Sequence, residues 1–193
     1  VFSSEVNKAD QSVLFGVRPC DAHSFVVLDK LFDQEKYRDQ YYIAKRQNTT
    51  VITLACVEPP YATCFCTSVD GEPVSSEGAD ILLTDIGDDY LVEFVTEKGA
   101  KLAGYFGDTK ADAEAEAKKN ELAAKAKEAI KSKIPAHEVK PILDKNFDHP
   151  FWDTIHAKCL ACGTCTYLCP TCHCFDISDE VMGSDGIRLR SWD

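Results

Sequence analysis

Residues 12–32 read SVLFGVRPCDAHSFVVLDKLF, and this stretch decides the fold class. Ser12 to Val17 is a short apolar run of strand character, ended by Arg18-Pro19-Cys20. Asp21 has the side chain of a helix N-cap, and Phe25, Leu28 and Phe32 then recur at helical spacing. A second β-branched run, Thr50 to Ala55 (TVITLA), stops directly at Cys56. Strand, helix, strand predicts a βαβ unit with a parallel pair, since parallel strands need a crossover between them. The polar stretch from Tyr37 to Asn48 leaves room for one more short element.

Beyond a loop from Val57 to Gly78 lie two more strand-like runs. Asp80 to Asp85 (DILLTD) and Tyr90 to Thr96 (YLVEFVT) flank Gly87-Asp88-Asp89, which predicts a hairpin. From Thr109 to Lys133 the composition turns to Ala, Glu and Lys, with Glu114–Lys118 and Glu121–Lys125 four apart. Leu122, Ala126 and Ile130 make a thin apolar stripe, so a surface helix is expected there. Pro135 and Pro141 are expected to divide the next stretch of chain into short helical pieces. Pro150 to Lys158 then presents Phe151, Trp152 and Ile155 on one side. The expectation is an α/β (α+β) chain in three regions. A small βαβ-containing sheet domain occupies 1–108, a helical connector 109–150, and a C-terminal ferredoxin-like [4Fe–4S] segment 151–193.

The bulk properties narrow the function. A hydrophobic fraction of 45% against 27% charged residues suits an ordinary buried core. The formal net charge of −11 argues against nucleic acid, whose phosphates reward a basic surface. No apolar run approaches the length of a membrane span, and no export leader is visible, so a cytoplasmic location is expected. In a reducing compartment the sequon Asn48-Thr49-Thr50 carries no meaning.

The cysteines carry the chemistry. There are ten, and six of them fall between Cys159 and Cys174, at spacings that suit metal ligands better than a disulfide framework. Cys159, Cys162, Cys165, Cys169 and Pro170 form the run C-x2-C-x2-C-x3-C-P, that of the bacterial ferredoxins. Three thiolates so spaced wrap one face of a cubane, each meeting a different iron, and Gly163 lets the backbone turn close to the sulfides. A [4Fe–4S] cluster is expected, with zinc as the alternative. In two-cluster ferredoxins the fourth cysteine of each run serves the other cluster. No second run of this kind exists in these residues. Either a further run lies beyond Asp193, the preferred reading, or Cys169, Cys172 or Cys174 completes the cluster.

Cys20, Cys56, Cys64 and Cys66 make a weaker set. If the βαβ reading holds, Cys20 and Cys56 both come just after strands and sit at the carboxyl edge of the sheet, where open α/β sheets place their sites. The loop after Cys56 brings Cys64 and Cys66 to the same rim. A second metal site is expected there, a [4Fe–4S] cluster in preference to zinc; the bland reading is four ordinary buried cysteines. His23, His173, Arg188, Arg190 and the pair Lys45-Arg46 read by default as surface or solvated groups. No glycine-rich nucleotide loop is present. A reductase using a low-pKa thiol such as Cys174 is the remaining alternative.

Taken together, Gly16-Val17-Arg18-Pro19-Cys20-Asp21-Ala22, then Cys56, Cys64-Phe65-Cys66, the run from Cys159 through Cys172-His173-Cys174-Phe175-Asp176, and Arg188-Leu189-Arg190-Ser191-Trp192-Asp193 are a distinctive combination. The chain resembles the iron–sulfur β subunit family of cytosolic hydrogenase/sulfur reductase complexes, which also includes the A subunit of anaerobic sulfite reductase. The resemblance covers nearly the whole chain. It implies a non-catalytic relay of electrons through [4Fe–4S] clusters, between a flavin-containing NAD(P)H subunit and a hydrogenase or sulfur/sulfite reductase partner. Members of that family continue past the Trp-Asp segment into a second ferredoxin run, so residues 151–193 correspond to its first half.

Overall fold

The computed structural model describes residues 10–192. They divide into two compact units between His137 and Glu138. In the first, β1 (Ser12–Val17), α1 (Pro19–Phe32), α2 (Gln40–Asn48) and β2 (Thr49–Leu54) form the expected crossover. β3 (Ile81–Asp85) and β4 (Tyr90–Phe94) complete a four-stranded sheet of order β1-β2-β3-β4. β1, β2 and β3 run parallel; β4 closes on β3 as an antiparallel hairpin. The turn stands on Gly87, whose N–H donates to the Asp85 carboxylate at 2.9 Å.

The central strands are buried on both faces, as parallel strands in a layered fold should be. Ile52, Ile81 and Leu83 form the core of one face, joined by the half-buried Leu54, Val92, Leu102 and Phe106. Val51, Thr53, Leu82 and Thr84 are buried on the other. β1 differs: as an edge strand it is exposed along most of its length, with Phe15 72% exposed. Its apolar composition reports strand character, not depth.

α1 starts earlier than Asp21. Arg18 is the residue before its first turn and Pro19 occupies the first helical position, where its fixed φ and missing N–H cost nothing. Asp21 instead lies inside the first turn, where a carboxylate favours the positive end of the helix dipole. α2 holds against α1 through Asp29, which accepts from the Tyr42 hydroxyl at 2.7 Å and from Arg46 Nε at 3.3 Å. Arg46 is therefore a structural tie. The loop before β3 comes close to α1 at Gly78, where φ is +79° and an added Cβ would meet the Ala22 carbonyl oxygen at 2.1 Å.

Sequence patterning did not single out Asp80, which is the hub of this unit. It is 5% exposed, and its carboxylate accepts from the Val51 N–H at 2.9 Å and the Thr96 hydroxyl at 2.6 Å. Lys98 Nζ stands 3.2 Å away and also donates to the Thr49 carbonyl. One buried charge thus joins the starts of β2 and β3 to the end of β4 and to α3 (Glu97–Ala100).

α4 (Ala113–Ala129) confirms the surface helix, with Ala126 and Ile130 buried as the stripe required. Lys119 reaches Glu93 of β4 at 2.6 Å. Of the two expected helix pairs, Glu121–Lys125 forms, whereas Lys118 turns to Glu121 at 3.8 Å in place of Glu114. α5 (Ala136–Lys145) crosses the division between the units. It carries Pro141 inside it, so that proline does not break the helix as expected; only one intrahelical donor is lost, in an exposed helix.

The second unit continues with α6 (Phe151–His156), α7 (Thr164–Leu168), and a hairpin of β5 (Phe175–Met182) and β6 (Asp185–Trp192). Gly183-Ser184 turns the hairpin, with Gly183 at φ +66° as a two-residue primed turn wants. Asp179 faces Arg188 across the strands, with Nε and Nη2 at 2.7 and 2.8 Å from its two oxygens. None of the described residues of this unit is buried.

Substitutions at two positions test the core. Asp80→Ala leaves the Val51 N–H and the Thr96 hydroxyl without their acceptor and should destabilise the first unit by about 1–3 kcal/mol in urea unfolding, with Asp80→Asn costing less. Thr53 and Thr84 hold buried hydroxyls with no hydrogen-bond partner. Thr53→Val should therefore stabilise by about 1 kcal/mol, read as a rise in Tm.

Candidate metal centres

The sheet delivers the first set of thiols. β1 ends at Val17, and α1 carries Cys20 in its first turn. β2 ends at Leu54, and Cys56 lies just beyond it, its N–H donating to the Pro73 carbonyl at 2.8 Å. Cys64 lies in the next loop, its N–H bound to the Tyr61 carbonyl at 3.1 Å. Cys66 opens a short 3₁₀ turn, Cys66–Ser68, and its carbonyl accepts from the N–H groups of Val69 and Gly71 at 3.0 Å each. The loop is thereby set without regular structure.

The four thiols lie within electrostatic reach of one another. Burial pushes the Cys20 thiol up, with Asp21 and then Cys66 adding to the rise. Burial also raises Cys56, and Cys64 and Cys20 raise it further, while the Arg18 guanidinium pulls the other way. Cys66 is raised first by burial and then by Cys56, Cys64 and Glu72, against a lowering hydrogen bond from the Thr67 N–H. Cys20 is an exposed residue overall, but its sulfur is packed closely enough by neighbours to be partly desolvated. Among the described residues no three His, Cys, Asp or Glu groups stand close enough to hold a single metal ion. Thiolates on one zinc lie about 3.8 Å apart, from a Zn–S bond of about 2.3 Å and tetrahedral angles. Thiolates on a cubane each bind a different iron and stand farther apart, which suits a looser ring. Sequence reasoning missed Arg18, the cation beside Cys56; its place at the end of β1 was the available signal.

The second set lies on one continuous loop and helix. Cys159 comes after α6, and its sulfur accepts from the Ala161 N–H at 3.4 Å. Ala161 has φ +51° and Gly163 φ +67°, so the backbone curls left-handed twice between Cys159 and α7. A left-handed alanine costs roughly 1 kcal/mol or more, and the curl brings backbone N–H groups round toward the sulfurs. Cys165 sits on α7, and Cys169 ends it. The Thr164 side chain, 3.2 Å from Cys162 Sγ, holds that thiol below its ordinary value, and Thr171 does the same for Cys169. The Cys172 N–H closes a turn on the Cys169 carbonyl at 3.1 Å. All of these sulfurs but that of Cys172 belong to exposed residues.

Residues 158–193 match the family described as a 4Fe-4S dicluster domain. The chain is 33% identical over 193 residues to sulfhydrogenase 2 subunit beta of Pyrococcus furiosus, across 98% of its own length and 57% of that relative. The chain is a homologue of that hydrogenase beta subunit. The family resemblance carried by the cysteine motifs is thus borne out, and so is the ferredoxin-like segment at the C-terminal end of an α/β chain. The homologue spans a little over half the length of its relative. No solved structure matches the chain. Among the described residues no helix is long and apolar enough to cross a membrane.

The opposite shifts in the two sets are measurable in the reduced, metal-free chain. Cys162 and Cys169, with lowered thiols, should alkylate readily at mildly alkaline pH. Cys20, Cys56 and Cys66, with raised thiols, should need a higher pH, because only the thiolate reacts. Peptide-mapped iodoacetamide rates against pH should show this order, and Thr164→Val should move the Cys162 midpoint upward.

Proposed function

We propose that this chain is an electron-transfer subunit with [4Fe–4S] clusters at both sets of thiols. Cys159, Cys162 and Cys165 would hold one cluster of the dicluster domain, with Cys169 serving the other, as the ferredoxin pattern requires. Cys20, Cys56, Cys64 and Cys66 would hold a further cluster at the sheet edge. The observation that carries the reading is the pairing of a ferredoxin run, in a segment matching a dicluster domain, with four mutually interacting thiols at the carboxyl edge of a sheet. Bound clusters would supply one-electron redox chemistry. The chain's own residues supply the ligands, the backbone and threonine donors that reach the sulfurs, and Arg18, whose charge offsets the thiolates.

The relay would run between a flavin-containing NAD(P)H subunit and a terminal hydrogenase or sulfur/sulfite reductase subunit, in the cytoplasm. The relative's name, a sulfhydrogenase subunit, supports membership of such a complex. The chain would have no substrate of its own; the chemistry at either end belongs to its partners.

Anaerobic purification with iron and sulfide analysis, then EPR of the dithionite-reduced protein, tests this. The expected result is iron and acid-labile sulfide in equal amounts. One component of the [4Fe–4S] signal should disappear in Cys56→Ser, and a different one in Cys162→Ser. Zinc without sulfide would overturn the relay in favour of a structural zinc scaffold. Iron and sulfide untouched by Cys56→Ser would remove the sheet-edge cluster.

A further inference from the structure

We propose that the free edge of β4 takes up an extended, basic segment of a partner polypeptide as a fifth strand. β4 is last in the sheet order, so one of its two edges pairs with no strand. Hydrogen bonds at its ends fix which residues face that edge. The Val95 N–H donates to the Asp80 carbonyl at 2.9 Å, and the Ile86 N–H to the Asp89 carbonyl at 3.0 Å. Backbone groups of an antiparallel pair alternate in direction, so Leu91 and Glu93 turn theirs toward β3. Tyr90, Val92 and Phe94 turn theirs outward, and no backbone group among the described residues meets them there.

Those three residues line a cavity of about 980 Å³ between β4 and the start of α4. The opposite wall is low in bulk, with Gly107, Ala111, Ala115 and Ala117 among its residues. Lys119 of α4 pairs with Glu93 at 2.6 Å, which ties the two walls together. Phe94 and Phe106, their ring centroids 5.7 Å apart, add an aromatic surface. Tyr90 is 57% exposed and Phe94 40%. The space is at the top of the range for small-molecule sites, and one wall is an unpaired strand. An extended chain fits it better, because main-chain hydrogen bonds to the edge bind the segment and alternate side chains rest on the exposed rings.

Charge indicates the chemistry of that segment. Asp88, Asp89, Asp112 and Glu114 line the cavity without an ion-pair partner among the described residues, and Lys110 is the one lining cation likewise unpaired. The dipole at the start of α4 adds about half a positive charge, which leaves the excess in place. Glu93 and Glu121 face Lys118, Lys119 and Lys125, one cation over, so the whole groove keeps a net negative charge. A strand flanked by Lys or Arg is the complementary occupant. A second copy of this chain would carry the same acidic charge into the groove.

The probe is a dye-labelled peptide, Lys-Lys-Val-Thr-Val-Thr-Val, titrated anaerobically with the full chain and followed by fluorescence anisotropy. It should bind, more weakly as salt rises. Replacing its two lysines by glutamate should weaken binding about tenfold or more. Two versions N-methylated on alternate residues, one set or the other, should differ about tenfold, since only one set donates to β4. Asp88→Asn with Asp89→Asn should weaken the lysine peptide about fivefold and leave the glutamate peptide no weaker. Equal binding of the lysine and glutamate peptides, equal binding of the two N-methylated versions, or no binding at millimolar peptide would overturn the proposal. So would a dimer of the chain that the peptide dissociates, which would make a second copy the occupant.

Discussion

Thiols gathered at one partly buried sheet edge resist ionisation, and the proposed site depends on overcoming that resistance. At the sheet edge each of three thiols is raised by burial and then by neighbouring charges, other sulfurs among them. Ionising all of them in that partly desolvated setting is unfavourable without a compensating positive centre. Arg18 supplies one charge, which is too little for four thiolates. In the proposed site an iron–sulfur core would supply the rest, since ligation removes the thiol proton.

The two units meet this constraint differently. The first has its own core, with β2 and β3 buried on both faces and Asp80 tying strand ends together. Its cysteines therefore stand on a packed frame. The second has no buried residue among those described, and a segment of that size without a core depends on metal or on contacts with other chain for its stability. Its loop is instead shaped locally, by the left-handed Ala161 and Gly163 and by threonines bonded to sulfur. Those same hydrogen bonds lower Cys162 and Cys169, which favours the thiolate form that a metal would need. The two sets of thiols are thus positioned by different means, one on a packed sheet and one on a locally shaped loop.

Much of this was legible in the residues. β1 was bounded to the residue, because Arg18-Pro19 ends it without ambiguity. β2, β3 and β4 fell within two residues of their observed ends, since β-branched runs bounded by turn residues have few other readings. The placement of Cys20 and Cys56 at one sheet edge came from topology alone, which is why the site could be assembled from scattered positions. Less legible were features set by three-dimensional neighbours. Asp80 looks in sequence like a strand-end turn residue; only the approach of Thr96 and Lys98 makes it a hub. The β5–β6 hairpin was missed although Gly183-Ser184 marks its turn, because its strands mix charged and apolar residues and neither face is buried. Pro141 was read as a breaker, and an exposed helix tolerated it.

The most direct measurement is Mössbauer spectroscopy of the full chain, loaded anaerobically with isotopically enriched iron, beside the variant carrying Cys20→Ser and Cys66→Ser. The iron lost between the two spectra should be a [4Fe–4S] component of about four irons per chain. Identical spectra, or a lost component of isolated tetrahedral iron, would contradict a cluster at the sheet edge.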